Sequence, residues 1–465
     1  MKNKNSIKLL FTIVMIFLGI SLTAQTTALP PANFNEENAG TEDNPYQIET
    51  LANLRWLSET PEVWGTITPL VQYYFLQTND IDASETTEWG HIENYYEYFE
   101  GFKGIGTYLQ PFTGFYDGQN YKIEHLYSRV GFFNFIDNAT LQNINVVNVE
   151  ISGKGSLVNY SNESIIKNCQ SSGYLGYCFS GGLIGYADSS QIMFCSTTIN
   201  INLLCMSDTV HPIGGLVGTL RSSLVSDSYF YGSYQNHSGF NPFGGLVGII
   251  DESSETRIQN CYATTNEIYP MSNWVGGICV SVYSFGSLPI FSNNFWNSEI
   301  TGIDVPSSSP TTGFPDMTSY GLLTSQMVTA STYINAGWDF VNVWDINSDI
   351  NNGYPFIRTH RDISNVSNKD KIISPIIEFT AYPNPFNPTT TISFTLKKSG
   401  DVNLDIYNLK GQKVKSLVDD FKESGQHIAI WNGLDNNGMP VGSGIYFYRI
   451  KTDNFFATKK FTLMK

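Results

Sequence analysis

The feature that most constrains the fold is a short phrase that the chain repeats. SGGLIGYA at residues 180–187 recurs as IGGLVGTL at 213–220, FGGLVGII at 243–250 and VGGICVSV at 275–282. The first glycines of the four phrases, Gly181, Gly214, Gly244 and Gly276, are 33, 30 and 32 residues apart. A period of this length indicates stacked structural units rather than one globular core.

A second phrase alternates with the glycine phrases and contains a recurrent asparagine position. SIIKNCQSSG (164–173), TRIQNCYATT (256–265) and PIFSNNFWNS (289–298) are three copies, and ATLQNINVVN (139–148) extends the series upstream. The aligned column contains Asn143, Asn168, Phe194, Asp227, Asn260 and Asn293. We expect stacked amides in this column to hydrogen-bond from unit to unit. We also expect the paired glycines to form tight turns with positive φ; they are Gly181, Gly182, Gly214, Gly215, Gly244, Gly245, Gly276 and Gly277.

Each period contains two or three short apolar segments separated by Gly, Ser and Asn, without helical periodicity. Such a unit cannot bury its apolar side alone, whereas stacking strand on strand buries a continuous core. The sequence therefore predicts an all-β fold, a right-handed parallel β-helix. GGLVG followed by I-x-N-C-Y resembles the GLUG repeat of bacterial surface and secreted proteins, and flanking segments extend the resemblance over about residues 40–358.

The first and last units of such a stack expose unpaired strand edges, which other parts of the chain must cover. Thr50 is placed to cap a short helix with Leu51, Leu54 and Leu57 on one stripe, and Pro61 ends it. At the other end, residues 324–334 are expected to form a short helix before a final strand pair.

The first 24 residues have the pattern of a signal peptide, with Lys2, Lys4 and Lys8 before an apolar run from Leu9 to Leu22. The formal net charge is −16, and the acidic excess lies before residue 379. There is no lysine between residues 168 and 357. Such an acidic body argues against binding to nucleic acid or anionic lipid.

The last 87 residues differ in character from the body and show strong strand alternation, which predicts an Ig-like β-sandwich. YPNPFNPTTTISF, the run from Trp431 to Tyr446 and the terminal KKFTLMK resemble the type A C-terminal sorting domain of type IX secretion cargo. The matching motif residues are Pro383, Asn384, Pro385, Trp431, Gly433, Asp435, Gly438, Ser443, Gly444 and Tyr446. The resemblance implies export by the type IX machinery to the outer surface of a Gram-negative cell, or release.

These patterns divide the chain into six parts. They are the signal peptide (1–24), an N-terminal capping region (25–115), GLUG-type repeats (116–300), a C-terminal cap (301–363), a linker (364–378) and the sorting domain (379–465).

Motifs of zinc hydrolases, α/β-hydrolases and nucleotide-binding proteins are absent from the sequence, and no catalytic residue is assigned. Cys169 with Cys195 and Cys178 with Cys205 lie one unit apart, so disulfides and buried free thiols both remain open. No cofactor is expected, although calcium remains an open alternative at two carboxylate groups. These are Asp80 with Asp82, and Asp345, Asn347 and Asp349.

Tyrosine clusters are the leading candidates for ligand binding, because flat rings stack on sugars. They are Tyr229, Tyr231 and Tyr234 in YFYGSY, and Tyr95, Tyr96 and Tyr98 in YYEYFEGF. The preferred hypothesis is a secreted adhesin-like or glycan-binding protein that recognises polysaccharide or matrix glycoprotein. The alternatives are a polysaccharide-degrading enzyme and a structural surface component. The enzyme would use carboxylates at 188, 208, 227, 251, 252, 255 and 267.

Overall fold

A computed structural model gives the structure of residues 25–464, with several internal segments left undescribed. The gaps are 91–99, 177–179, 204–211, 237–241, 252–255, 270–274, 284–288, 304, 308–318, 361–375, 397–398, 409–411 and 453–454. The predicted signal peptide also lies outside the described residues. Strands dominate the described chain, and the all-β prediction is confirmed.

The N-terminal strands are β1 (Tyr46–Ile48), β2 (Thr66–Ile67), β3 (Leu70–Val71), β4 (Tyr74–Gln77), β5 (Ile81–Asp82), β6 (Phe115–Asp117), β7 (Lys122–Glu124) and β8 (Tyr127–Ser128). The next strands are β9 (Phe133–Asp137), β10 (Thr140–Gln142), β11 (Asn145–Ile151), β12 (Val158–Asn162), β13 (Ile165–Lys167), β14 (Gln170–Leu175), β15 (Ile184–Asp188), β16 (Gln191–Met193) and β17 (Ser196–Leu203). The repeats continue with β18 (Ile213–Gly214), β19 (Val217–Arg221), β20 (Leu224–Ser226), β21 (Tyr229–Asn236), β22 (Phe243–Gly244), β23 (Val247–Asp251), β24 (Arg257–Gln259), β25 (Tyr262–Tyr269), β26 (Val275–Gly276), β27 (Cys279–Tyr283), β28 (Ile290–Ser292) and β29 (Phe295–Asn297).

Most of these strands form three long parallel sheets, which the chain visits in a fixed order from β6 onward. β18-β22-β26 form a short fourth parallel sheet, and β2 and β3 form an antiparallel pair. The first sheet is β1-β4-β6-β10-β13-β16-β20-β24-β28. The second is β5-β7-β11-β14-β17-β21-β25-β29, to which β30 (Tyr320–Leu322) adds at the end, and the third is β9-β12-β15-β19-β23-β27. We call one passage through the three sheets a rung. Because equivalent strands pair in register from rung to rung, one apolar core runs through the stack.

The asparagine column forms a left-handed turn between the first and second sheets. The φ angles of its six residues, Asn143, Asn168, Phe194, Asp227, Asn260 and Asn293, lie between 47° and 55°. Asparagine tolerates this conformation better than most residues. The Asn168 Nδ2 donates to Asn143 Oδ1 at 2.6 Å, and Asn143 Nδ2 donates to Asp117 Oδ1 at 2.8 Å. The expected side-chain ladder is therefore present between Asn143 and Asn168, and Asn260 Nδ2 also donates to Asp227 Oδ1 at 3.4 Å.

The paired glycines do not have positive φ, so that prediction is wrong. They are required because backbones of neighbouring rungs approach closely. A Cβ on Gly182 would lie 2.1 Å from Gly215 O, and one on Gly215 would lie 2.2 Å from Gly245 O and 2.5 Å from the Phe230 ring. The same contact therefore recurs from rung to rung.

Replacing Gly215 with alanine should lower the free energy of unfolding by about 1–3 kcal/mol, because the added methyl group overpacks a backbone contact. Chemical denaturation of the secreted protein measures the change. Gly176→Ala is the matched control, since its nearest neighbour is the Tyr174 side chain at 3.0 Å rather than backbone. Equal stabilities of the two variants would contradict the close-approach explanation.

The predicted N-terminal helix is confirmed as α1 (Leu51–Glu59). Thr50 and Asn53 form a capping box, with Asn53 N donating to Thr50 Oγ1 at 3.2 Å. Leu54 and Leu57 are fully buried in the core of the stack. A short 3₁₀ helix, Pro61–Val63, follows directly.

The segment predicted as the C-terminal cap contains several short helices and strands beyond the last rung. After α2 (Ser298–Thr301) and β30, it contains α3 (Thr324–Met327), α4 (Ala330–Asn335), β31 (Trp344–Asp345) and β32 (Phe356–Ile357). The predicted single helix is thus two short helices, and the predicted final strand pair is the antiparallel pair β31–β32. We call residues 323–360 the strap, because they return along the outside of the second sheet.

The last domain has its own core, centred on Trp431, Phe394 and Phe461. Its strands are β33 (Ile376–Tyr382), β34 (Thr390–Leu396), β35 (Gly400–Asn408), β36 (Lys413–Lys422), β37 (Gly425–Trp431), β38 (Gly444–Thr452) and β39 (Phe455–Leu463). They form two antiparallel sheets, β33-β34-β37 and β36-β35-β38-β39.

Candidate functional site

Of the three described tyrosines that the sequence singled out as a sugar platform, two are buried. Tyr229 and Tyr234 are buried, so the platform prediction is wrong for these two rings. Tyr229 stacks on Tyr262 with ring centroids 4.9 Å apart, and Tyr234 stacks on Phe243 at 4.5 Å. Tyr231 is half-buried beside the strap. Tyr95, Tyr96 and Tyr98 lie outside the described residues.

The strap covers these tyrosines. Tyr262 OH donates to Pro355 O at 2.6 Å, and its ring stacks on Tyr354. Trp338 Nε1 donates to Asn293 O at 2.9 Å, and Trp344 Nε1 donates to Asp227 Oδ1 at 3.3 Å. The strap thus runs back over several rungs of the asparagine column.

The far end of the strap reaches still earlier rungs. His360 is buried, and its Nδ1 lies 2.8 Å from Ser196 Oγ. Thr359 Oγ1 hydrogen-bonds to Asn168 Oδ1. Burial lowers the pKa of His360 to about 3 and raises the pKa of Asp227. Both groups therefore favour their neutral forms when the strap is bound.

A different surface carries exposed aromatic groups, namely the outer face of the third sheet. Phe135, Tyr160 and Tyr186 occupy equivalent positions of β9, β12 and β15. The first two rings are stacked with centroids 4.5 Å apart, and Tyr160 and Tyr186 are 6.0 Å apart. All three are partly exposed. We call this set the aromatic row.

The aromatic row ends where the next rung has a small residue. Thr219 pairs with Tyr186 in the register of β15 and β19, so among the described residues the row of register-paired rings does not continue onto β19. Lys154 lies beside the middle ring of the row, with its Nζ 4.4 Å from the centroid of the Tyr160 ring. Burial raises the pKa of Tyr186, while hydrogen bonding to Arg221 opposes the rise.

A polar row runs beside the aromatic row, two residues further along each strand. Register places Asp137, Asn162, Asp188 and Arg221 on successive rungs. Asn162 Nδ2 donates to Asp137 Oδ1 at 3.0 Å, and Arg221 Nη1 lies 3.7 Å from Asp188 Oδ2. Planar amide, carboxylate and guanidinium groups beside aromatic rings are suited to binding sugar hydroxyl groups.

The candidate metal ligands are engaged in other contacts. Asp345 Oδ2 accepts from Arg358 Nη1 at 3.0 Å, and Asn347 Oδ1 accepts from Asp349 N at 2.9 Å. Asp80 Oδ1 accepts from the Lys122 backbone, and Asp82 Oδ1 from the Ser84 backbone. No cluster of three metal-ligating side chains occurs within the described part of the chain.

The four described cysteines, Cys169, Cys195, Cys261 and Cys279, are buried free thiols. Burial raises the pKa of Cys169 and of Cys261 well above the usual range, which makes both thiols poor nucleophiles. The Cys178 and Cys205 hypothesis concerns residues outside the described segments.

The candidate carboxylates do not share one site. Asp227 lies under the strap, whereas Asp188 and Asp251 lie on the outer face of the third sheet. Asp208, Glu252 and Glu255 are outside the described residues, and the Glu267 side chain is not described.

The motif residues of the last domain support its turns and core. Trp431 is fully buried, and its Nε1 donates to Leu434 O at 2.9 Å. Asp435 Oδ1 accepts from the backbone of Asn437 and Met439, both at 2.8 Å. Asn384 Oδ1 accepts from Thr462 N at 2.9 Å, so the motif joins both ends of the domain. The other motif residues are Pro383, Pro385, Gly433, Gly438, Ser443, Gly444 and Tyr446.

Residues 380–464 match the family described as the secretion system C-terminal sorting domain. The last domain is a type IX secretion sorting domain. The sorting domain indicates that the protein is secreted and exported to the surface by type IX secretion, and that it interacts with this secretion system. No described helix has the length and apolarity needed to span a membrane.

About a third of this chain is similar in sequence to part of a much longer protein. The immunoglobulin A1 protease of Streptococcus pneumoniae is 32% identical over 166 residues, which are 34% of this chain and 8% of the protease. A solved IgA1 protease structure covers 58% of this chain and 21% of its own, with 22% identity and a TM-score of 0.44. PorZ, a surface component of the type IX secretion system of Porphyromonas gingivalis, covers 19% of this chain and 11% of its own, with 19% identity and a TM-score of 0.15.

Proposed function

We propose that this exported protein binds glycans at the cell surface and acts as an adhesin. The observation that carries the proposal is the aromatic row, with its polar neighbours, on the outer face of the third sheet. This surface replaces the tyrosine platform under the strap as the binding site. The ligand would be a polysaccharide or the glycan of a matrix glycoprotein.

The three sheets support a parallel β-helix made of GLUG-type repeats, since the chain passes through them in the same repeated order from β6 to β29. The two antiparallel sheets of the sorting domain likewise support an Ig-like sandwich. A stiff stack that repeats one side-chain position from rung to rung is suited to an extended polymer ligand.

The centre of the proposed site is the partly exposed ring of Tyr186. A sugar ring above Thr219 would continue the aromatic row, and its hydroxyl groups would reach Asp188 and Arg221. Aromatic stacking contributes about 0.5–1.5 kcal/mol per ring pair, and hydrogen bonds to charged groups contribute about 1.5–3 kcal/mol. The free energies of several such contacts along one polysaccharide chain would sum to a measurable affinity.

Binding of the purified secreted protein to a panel of polysaccharides and matrix glycoproteins tests the proposal. Tyr186→Ala should weaken binding about tenfold, through loss of about 1.4 kcal/mol. Tyr121→Ala is the matched control, because this tyrosine is also exposed but lies away from the third sheet. Binding that Tyr186→Ala leaves unchanged would place the ligand elsewhere.

A second candidate is a glycoside hydrolase. Asp188 and Asp251 lie on the same outer face two rungs apart, about 10 Å along the stack. That backbone spacing is just above the carboxyl-to-carboxyl separation of about 6.5–9.5 Å in inverting hydrolases. New reducing ends in the binding assays, abolished by Asp188→Asn, would favour this function. Absence of both binding and cleavage would favour a structural role. Protease activity is not proposed, because the similarity covers 8% of the IgA1 protease.

A further inference from the structure

One outer face of the sorting domain carries no charge among its described side chains. It belongs to the sheet β33-β34-β37, and cross-strand register aligns Tyr382 with Thr391 and Ile430, and Thr380 with Ser393 and Ile428. Three of these residues are strongly exposed: Tyr382 (81%), Ile428 (64%) and Ile430 (59%). Thr395 and Gln426 extend the same face. We call these eight residues the uncharged face.

The other sheet of the domain has a different outer face. Lys413 Nζ lies 2.7 Å from Asp405 Oδ2, and the Arg449 guanidinium lies over the Tyr407 ring at 4.7 Å. The hydrogen bond to Asp405 raises the pKa of Lys413. The contrast matters because solvent-facing sheets normally carry charged groups, while exposed apolar groups in an uncharged surface mark a contact site.

The strand β37, at one side of the uncharged face, is an edge strand of its sheet. Among the described strands, β37 pairs only with β34. Proteins usually protect such edges with lysine, proline or a bulge, because free backbone groups attract other strands. In β37 the outward residues are Gln426, Ile428 and Ile430, and the strand pairs without a register shift along its length.

We infer that the uncharged face and the β37 edge form the surface by which a protein of the type IX secretion machinery binds the sorting domain. This inference rests on the assignment of residues 380–464 as a sorting domain. The partner would present an apolar strand or extended segment that adds to β37 and packs on Ile428 and Ile430. A second copy of this chain fits the observations less well, because the assigned role of the domain already requires a secretion partner.

Export of the full-length chain from the secreting bacterium tests the inference. The variant carries Ile428→Lys and Ile430→Lys together, and antibody detection measures the surface and medium fractions against the periplasmic fraction. We expect at least a tenfold loss of exported protein. Phe421→Lys is the matched control, since Phe421 is equally exposed but lies on β36 of the charged sheet, and it should be exported normally.

A second pair, Ile428→Thr with Ile430→Thr, removes the apolar contact without adding charge and preserves strand propensity. It should reduce export several-fold with an unchanged thermal unfolding transition of the purified protein. Normal export of this folded pair would overturn the inference. Normal export together with loss of a wild-type dimer in light scattering would assign the face to a second copy. Deletion of residues 380–464 tests the sorting assignment separately, because its export would contradict that assignment itself.

Discussion

Tyr262→Ala should destabilise the strap and the rungs beneath it by about 3–5 kcal/mol, which is the usual cost of removing a fully buried aromatic side chain. The Tyr262 ring packs against Tyr229 of the second sheet and Tyr354 of the strap, and its hydroxyl group donates to the strap backbone at Pro355 O. The variant therefore loses contacts on both sides of the interface. Chemical denaturation, followed by the fluorescence of Trp338 and Trp344 in the strap, measures the effect.

Two further variants make this prediction specific. Tyr262→Phe keeps the ring contacts and removes only the hydrogen bonds to Pro355 and Asn351, so we expect a loss of about 1–3 kcal/mol. Tyr121→Ala, at an exposed ring, should change stability little. If Tyr262→Ala unfolded at the wild-type denaturant concentration, the strap would not depend on this ring.

The second large effect is the pH dependence of the strap end. His360 has a pKa of about 3 when buried, against about 6.5 when released, so the released state binds more protons between these values. The stability contributed by neutral His360 is complete above pH 6.5 and is lost progressively as the pH falls toward 3. At pH 5 the loss is about 2 kcal/mol, which follows from 1.36 kcal/mol per pH unit. Limited proteolysis and hydrogen exchange of residues 354–360 measure it.

His360→Gln should abolish this acid sensitivity, because glutamine does not titrate. Asp227→Asn is the control for the other buried titratable group beneath the strap. Burial raises the pKa of Asp227, so its carboxyl group favours the bound strap as the pH falls, which is the opposite sign. The same acid release in His360→Gln as in the wild type would contradict the role of this histidine.

Structural features that depend on residues close together in the sequence were predicted correctly. Thr50 and the leucine stripe predicted α1, and the asparagine column predicted side-chain hydrogen bonds between neighbouring rungs. The glycine pairs were correctly predicted to be structurally required, but the predicted reason, a positive φ, was wrong. The actual reason is the close approach of backbones on neighbouring rungs, which the sequence of a single repeat does not reveal. Aligned strands contained a signal that was missed: FNFID, VNYSN and IGYAD each place an aromatic residue at the third position.

The path of the strap could not be predicted in the same way. Alternation along β21 and β25 distinguishes the two faces of a strand, but it does not indicate what covers the outer face. The covering contacts join distant residues, such as Trp344 with Asp227 and His360 with Ser196, which are 117 and 164 positions apart. Tyr229 consequently resembled an exposed sugar-binding ring in the sequence and is buried in the structure.

The central claim is that glycans bind at the aromatic row. Hydrogen exchange of the full-length secreted protein, with and without a polysaccharide that binds to it, tests this claim most directly. The proposed site predicts ligand-dependent protection in Val158–Asn162, Ile184–Asp188 and Val217–Arg221 of the third sheet. Protection there that disappears in Tyr186→Ala would support glycan binding at the aromatic row. Protection confined to the first or second sheet, or unchanged in Tyr186→Ala, would contradict it.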